Sequence, residues 1–128
     1  MTPLVLLPGM MCDARLFAPQ LSAFSGTRAC VIAPQTEFDT MSELAANILE
    51  SAPRRFALAG LSMGGIVAME IMAQAPERIS GLALLDTNPL AEPKDRQALR
   101  DVQIEEVRSG GLERIMREEM KPHYLADG

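Results

Sequence analysis

The stretch RFALAGLSMGGIVAMEIMAQA, residues 55–75, decides the reading of this chain. Its first part, Arg55 to Leu61, has the length and apolar character of a buried strand. The part from Met63 to Ala75 is apolar around most of a helical circumference, with Glu70 as its one charge, and is stopped by Pro76. A helix without a polar face belongs in the middle of a domain. Between the two lies Gly60-Leu61-Ser62-Met63-Gly64, a G-x-S-x-G pentapeptide at a strand-to-helix turn. Such a direct reversal forces the central residue into a strained backbone conformation, and the flanking glycines let neighbouring chain pass without Cβ clashes. The Ser62 hydroxyl is then held over the C-terminal edge of a sheet, where open α/β folds bind ligands, and beside helix N-terminal amides suited to a developing oxyanion.

Two plainer readings compete at this turn. A serine there can simply cap the helix. Gly60 to Gly65 also matches the first part of a phosphate-cradling loop, G-x-x-x-x-G, but Ile66 and Val67 stand where that loop needs Lys and Ser or Thr.

Working outward, PLVLLPG (residues 3–9), ACVIAP (29–34) and ISGLALLD (79–86) are three further apolar runs closed by turn residues. Asp13 is placed to cap the turn that follows the first run, after which Phe17, Leu21 and Phe24 fall at helical spacing. TMSE at 40–43 is a capping box, with Met41, Leu44, Ala45 and Ile48 on one stripe behind it. Strands and helices therefore alternate. The expected fold class is α/β: a three-layer sandwich with a central, mostly parallel sheet of about four strands and helices on both faces. After TNPLAEP the composition changes, and 94–108 and 112–120 read as charge-rich helices separated by Gly110 and Gly111. Residues 1–90 are thus expected to form an N-terminal α/β core and 91–128 a helical segment.

Composition narrows the function classes. The 128 residues are 48% hydrophobic but only 4% aromatic, so nine methionines serve as adaptable filler beside Leu, Ile, Val and Ala. A net charge of -5 argues against nucleic-acid or anionic-membrane partners and favours a small neutral or apolar one. Cys12 and Cys30 are too few for a disulfide framework or zinc site, the start MTPLVLLPGM lacks a basic leader, and no run is long enough to span a bilayer. A cytoplasmic protein without metal or organic cofactor is expected.

LVLLPGMMCDARLFAPQL, FALAGLSMGGIVAMEIMAQAPERI and GLALLDTNP together resemble the α/β-hydrolase superfamily, in its serine-nucleophile branch. The resemblance implies that Ser62 is the nucleophile, Gly60 and Gly64 the glycines of its elbow, and the backbone amides of Met10 and Met63 the oxyanion hole. Pro8 stands where many members have histidine; a hole built from main-chain N–H groups tolerates that. Residues 91–128 resemble the start of a cap. The implied activity is a serine hydrolase acting on a carboxylic ester or related acyl compound through an acyl-enzyme. The alternative is a catalytically idle partial fold that binds a small ligand or a partner.

Serine needs a base, normally a histidine oriented by a carboxylate, in the chain order Ser, acid, His. Ser62, Asp86 and His123 satisfy that order. Against this triad, His123 follows a charge-rich stretch, Pro122 constrains it, and no strand precedes it. Asp95 and Asp101 read as solvated helix positions, and Cys12 as buried filler. The likeness ends after the middle strands, so the expectation is an N-terminal part of a longer enzyme, truncated before the usual acid and histidine. The strand ending at Asp86 would then be a bare apolar edge, open to self-association.

Overall fold

The computed structural model describes residues 1–127, in which strands and helices alternate as the patterning predicts. Strands β1 (Leu4–Leu7), β2 (Cys30–Ile32), β3 (Phe56–Leu61) and β4 (Ile79–Leu85) pair in parallel in the order β2-β1-β3-β4. Leu7 lies opposite Gly60 and Leu61 opposite Leu85, so β1, β3 and β4 end at one edge of the sheet. A register shift at Phe56/Ala57 leaves Ser80 of β4 without an opposite residue.

Period-two alternation sends side chains to opposite faces. Val5, Leu7, Phe56 and Leu58 pack with Leu44, Ala45 and Ile48 of α2 (Met41–Ser51) and Val67, Ala68 and Ile71 of α3 (Met63–Gln74). On the other face Leu6 and Ala59 meet Phe17 and the half-buried Leu21 of α1 (Ala18–Phe24). Three layers result. Each large apolar side chain buried this way contributes about 1.5–3 kcal/mol. The larger cluster therefore anchors α3, and with it the turn at Ser62.

Local signals operate as written, with one change of partner. Asp13 caps a tight turn at Ala14–Phe17 by accepting from the Arg15 amide at 2.9 Å. Thr40 Oγ1 accepts from the Glu43 amide at 3.2 Å. The Glu43 carboxylate reaches back to the Thr40 hydroxyl, at 2.7 Å. The carbonyl end of α2 is closed by Arg78, whose guanidinium donates to the carbonyls of Leu49, Ala52, Pro53 and Arg54 and lies 5.7 Å over the Phe56 ring.

The chain divides into two compact units, Met1–Pro89 and Leu90–Gly128. In the second, α4 (Lys94–Arg108) ends where Gly110 takes a φ of 95°. The stretch expected as one helix begins as α5 (Leu112–Arg114) and widens into a π-helical run over Ile115–Met120. Arg114 pairs with Glu106 of α4 and with Glu118 and Glu119, while the buried Gln103 donates to Glu119 at 2.7 Å. Among the described residues, no helix is long and apolar enough to cross a membrane.

Candidate active site

Among the described residues, three other than glycine hold positive φ: Met11 at 60°, Ser62 at 53° and Asp86 at 44°. All three follow strands that end at the same sheet edge: Met11 in the loop after β1, Ser62 directly after β3, Asp86 directly after β4. Left-handed backbone at non-glycine residues costs of order 1–3 kcal/mol each and persists where the surroundings over-determine it, which is characteristic of functional sites.

Ser62 is the sharpest of the three. It occupies the position before the first residue of α3 with φ 53° and ψ -114°, is exposed, and makes no side-chain cap bond to the helix. The capping reading of this serine is thereby excluded, and its hydroxyl is left for other chemistry. Packing explains the glycines. A Cβ on Gly60 would collide with the backbone of Gly64 and Gly65, and one on Gly64 with the carbonyls of Leu7 and Pro8. The strand-to-helix reversal can thus close only if both positions lack side chains.

The turn is held from two sides. From β4, the Ser62 amide donates to the Leu85 carbonyl at 2.9 Å, and the Thr87 hydroxyl donates to the Ser62 carbonyl at 2.8 Å. Thr87 also lies where a side chain on Gly65 would need to go. From β1, the buried Gly9 passes so close that a Cβ on it would sit 3.7 Å from Ser62 Cβ. The next residues turn back on themselves, the Cys12 amide donating to the Gly9 carbonyl at 3.1 Å. Gln35, in the loop after β2, donates from Nε2 to the Pro8 carbonyl at 2.7 Å.

These elements bring most of the predicted site residues to one place. Ser62, Ile66, Asp86, Thr87 and Asn88 line a cleft of about 290 Å³. Met63, as first residue of α3, has no intrahelical partner for its N–H. Met10 follows Gly9 in the loop beside Ser62 and is exposed together with Met11. Cys12, expected as buried filler, is exposed instead, because it closes the surface turn at Gly9. His123 lies in the second unit, exposed, on a one-turn helix at Lys121–His123. Asp95 and Asp101 are exposed on α4, as their helical spacing predicts. Thr87 and Gln35 carry no motif, and only the folded register shows that they touch this site.

The arrangement offers an exposed hydroxyl, a carboxylate in the same cleft, and helix N-terminal amides beside it. That set suits attack on a carbonyl with the resulting negative charge held by main-chain donors.

Comparison with known proteins is consistent with this geometry. Residues 2–127 match the Thioesterase domain family. Two curated relatives are pimeloyl-[acyl-carrier protein] methyl ester esterases. The protein from Yersinia enterocolitica is 43% identical over 56 residues, covering 42% of this chain and 22% of its own length. That from Nitrosomonas europaea is 31% identical over 75 residues, covering 59% of this chain and 27% of its own. The chain thus spans about a quarter of the length of these relatives. The crystal structure of a hydrolase from Pseudomonas aeruginosa superposes with a TM-score of 0.66 at 23% identity, over 92% of this chain and 54% of that one. The parallel sheet and its flanking helices are those of the α/β-hydrolase fold.

Proposed function

From the premise that the chain belongs to the Thioesterase domain family, a family of esterase-type hydrolases, we propose that it acts on a carboxylic ester or thioester through an acyl-enzyme on Ser62. The observation that carries this is the uncommitted Ser62 hydroxyl on a left-handed backbone, directly before α3. In the proposed cycle Ser62 Oγ attacks the acyl carbonyl carbon as a base takes its proton. The amides of Met10 and Met63 hold the oxyanion. Collapse of the tetrahedral species breaks the bond to the alcohol or thiol, which leaves with that proton. Water then attacks the acyl-enzyme by the same route and regenerates the hydroxyl.

Asp86 is the carboxylate that shares the cleft with Ser62 in this reading. His123 is the one histidine of the chain, and Ser62, Asp86 and His123 run in the order that the mechanism requires. We favour a different source for the base and the orienting acid: further polypeptide of a longer enzyme, for which the short span against the curated relatives speaks. Residues 91–128 would then be the start of a cap, and the two free cysteines suit a reducing, cytoplasmic compartment.

A fluorophosphonate probe tests the reading. It should label the wild-type chain at Ser62 and leave Ser62→Ala unmodified. Labelling only in a longer product of the same reading frame supports the longer-enzyme version. No labelling in either overturns the nucleophile assignment.

A further inference from the structure

Gln35 holds a half-buried amide of which only one end is satisfied. Its Nε2 donates to the Pro8 carbonyl at 2.7 Å, whereas its Oε1 is buried with no hydrogen-bond partner. Burying an unpaired acceptor is unfavourable, so the contribution of this amide lies in the one bond it makes. The acceptor is well placed to matter. Pro8 is buried, lies one residue beyond β1, and has no N–H of its own. Its carbonyl also borders the α3 turn, at a spot that a side chain on Gly64 would overlap.

We propose that Gln35 is a positioning residue for the oxyanion-binding loop, an inference that rests on the Ser62 reading above. A trans peptide is planar, with its C=O and N–H pointing in opposite directions. By fixing the Pro8 carbonyl, Gln35 fixes the plane of the Pro8–Gly9 peptide. The next plane, Gly9–Met10, is set by the Gly9 carbonyl, which accepts from the Cys12 amide inside the turn. The Met10 N–H therefore points away from that turn. The joint between these two planes is Gly9, which has the widest torsional freedom of any residue and passes beside Ser62. A flexible joint at this place holds the Met10 amide in one direction only if the plane before it is clamped. Gln35 is that clamp. It acts on the oxyanion donor through the loop and touches no reacting atom.

The test uses the full chain and two variants, Gln35→Met, which keeps length and removes the donor, and Gln35→Glu, which keeps shape and places an acceptor against the carbonyl. Steady-state hydrolysis of p-nitrophenyl butyrate should show kcat reduced about tenfold to a hundredfold, with KM changed less than about twofold, because a misdirected donor costs part of what a deleted one does. Backbone amide NMR relaxation should show Gly9 to Cys12 becoming mobile while the β-strand amides remain as ordered as in the wild type. Unchanged kcat, or an unchanged loop, in a folded variant overturns the proposal. If the 128-residue wild type neither turns over nor reacts with the fluorophosphonate, the kinetics are read in the longer product of the same reading frame; if that too is unlabelled, the Ser62 reading fails, and the relaxation of Gly9 to Cys12 alone decides whether Gln35 clamps the loop. If one variant does not fold, the other is read by the same criteria.

Discussion

Thr87 shows how the site is tensioned at the scale of single residues. Its hydroxyl donates to the carbonyl of the strained Ser62, which also accepts from the Gly65 and Ile66 amides at 2.9 and 3.3 Å. Replacing Thr87 by Val removes one of three donors and keeps the shape against Gly65. We therefore expect a stability loss of only about 1 kcal/mol, read from the urea midpoint at constant m-value. The larger effect should fall on chemistry, as slower fluorophosphonate labelling of Ser62, since the turn is freer to relax from its left-handed φ. A variant with wild-type labelling rate would show that Ser62 keeps its backbone conformation without the Thr87 bond. Ser62, Gly60 and Gly64 were legible because the G-x-S-x-G spacing is local and each member has one steric reason. Thr87 and Gln35 were not, because each bonds a carbonyl 25 or 27 residues upstream and only strand register brings the two together.

Elements were legible in proportion to how local their signals are. The capping box located the start of α2 to the residue, and Pro76 and Gly110 marked the ends of α3 and α4 closely. Arg78 was silent in the sequence: an arginine after a proline reads as surface, yet here it closes four carbonyls at the end of α2 and the loop after it. The second unit has its own organising charge. The Arg114 guanidinium holds the Glu106 and Glu119 carboxyls below the ordinary glutamate value of 4.5, Glu119 being lowered first by its bond from Gln103. A carboxylate with a lowered folded pKa contributes stability that is complete above 4.5 and lost as pH falls through the lowered value. Carboxyl NMR titration should accordingly place the midpoints of Glu106 and Glu119 below 4.5 in the wild type and closer to it in Arg114→Gln. The helix content of the variant should also respond less to acid over that range. Because Arg114 is exposed and the two carboxyls are only half-buried, added salt should narrow the difference between the two proteins. Identical midpoints in both would remove Arg114 from its organising role.

At the scale of the whole molecule, alternation of apolar runs with helical stripes was enough to predict a parallel sheet covered on both faces, since each crossover must bury its apolar side against that sheet. What alternation does not specify is strand order, and order decides which strand lies outermost. In this chain β2 and β4 lie at the two edges, and the near-continuous apolar sequence of β4 reads as a central strand. Leu82, Leu84 and Leu85 are instead each about two-fifths exposed. The Leu85 carbonyl accepts from Ser62 of the neighbouring chain segment, so by the two-residue period the N–H and C=O groups of Leu82 and Leu84 face the open side. An apolar strand with a free row of donors and acceptors is a template for another copy of itself. The 128-residue chain is therefore predicted to associate at micromolar concentrations, with a sedimentation coefficient that rises with loading concentration. Lysine at both Leu82 and Leu84 sets like charges against each other across a β4–β4 pairing. It should return the chain to a monomer with an unchanged far-UV spectrum. A wild-type chain that sediments as one monomeric species at every concentration would mean that this edge is already protected by its own surroundings.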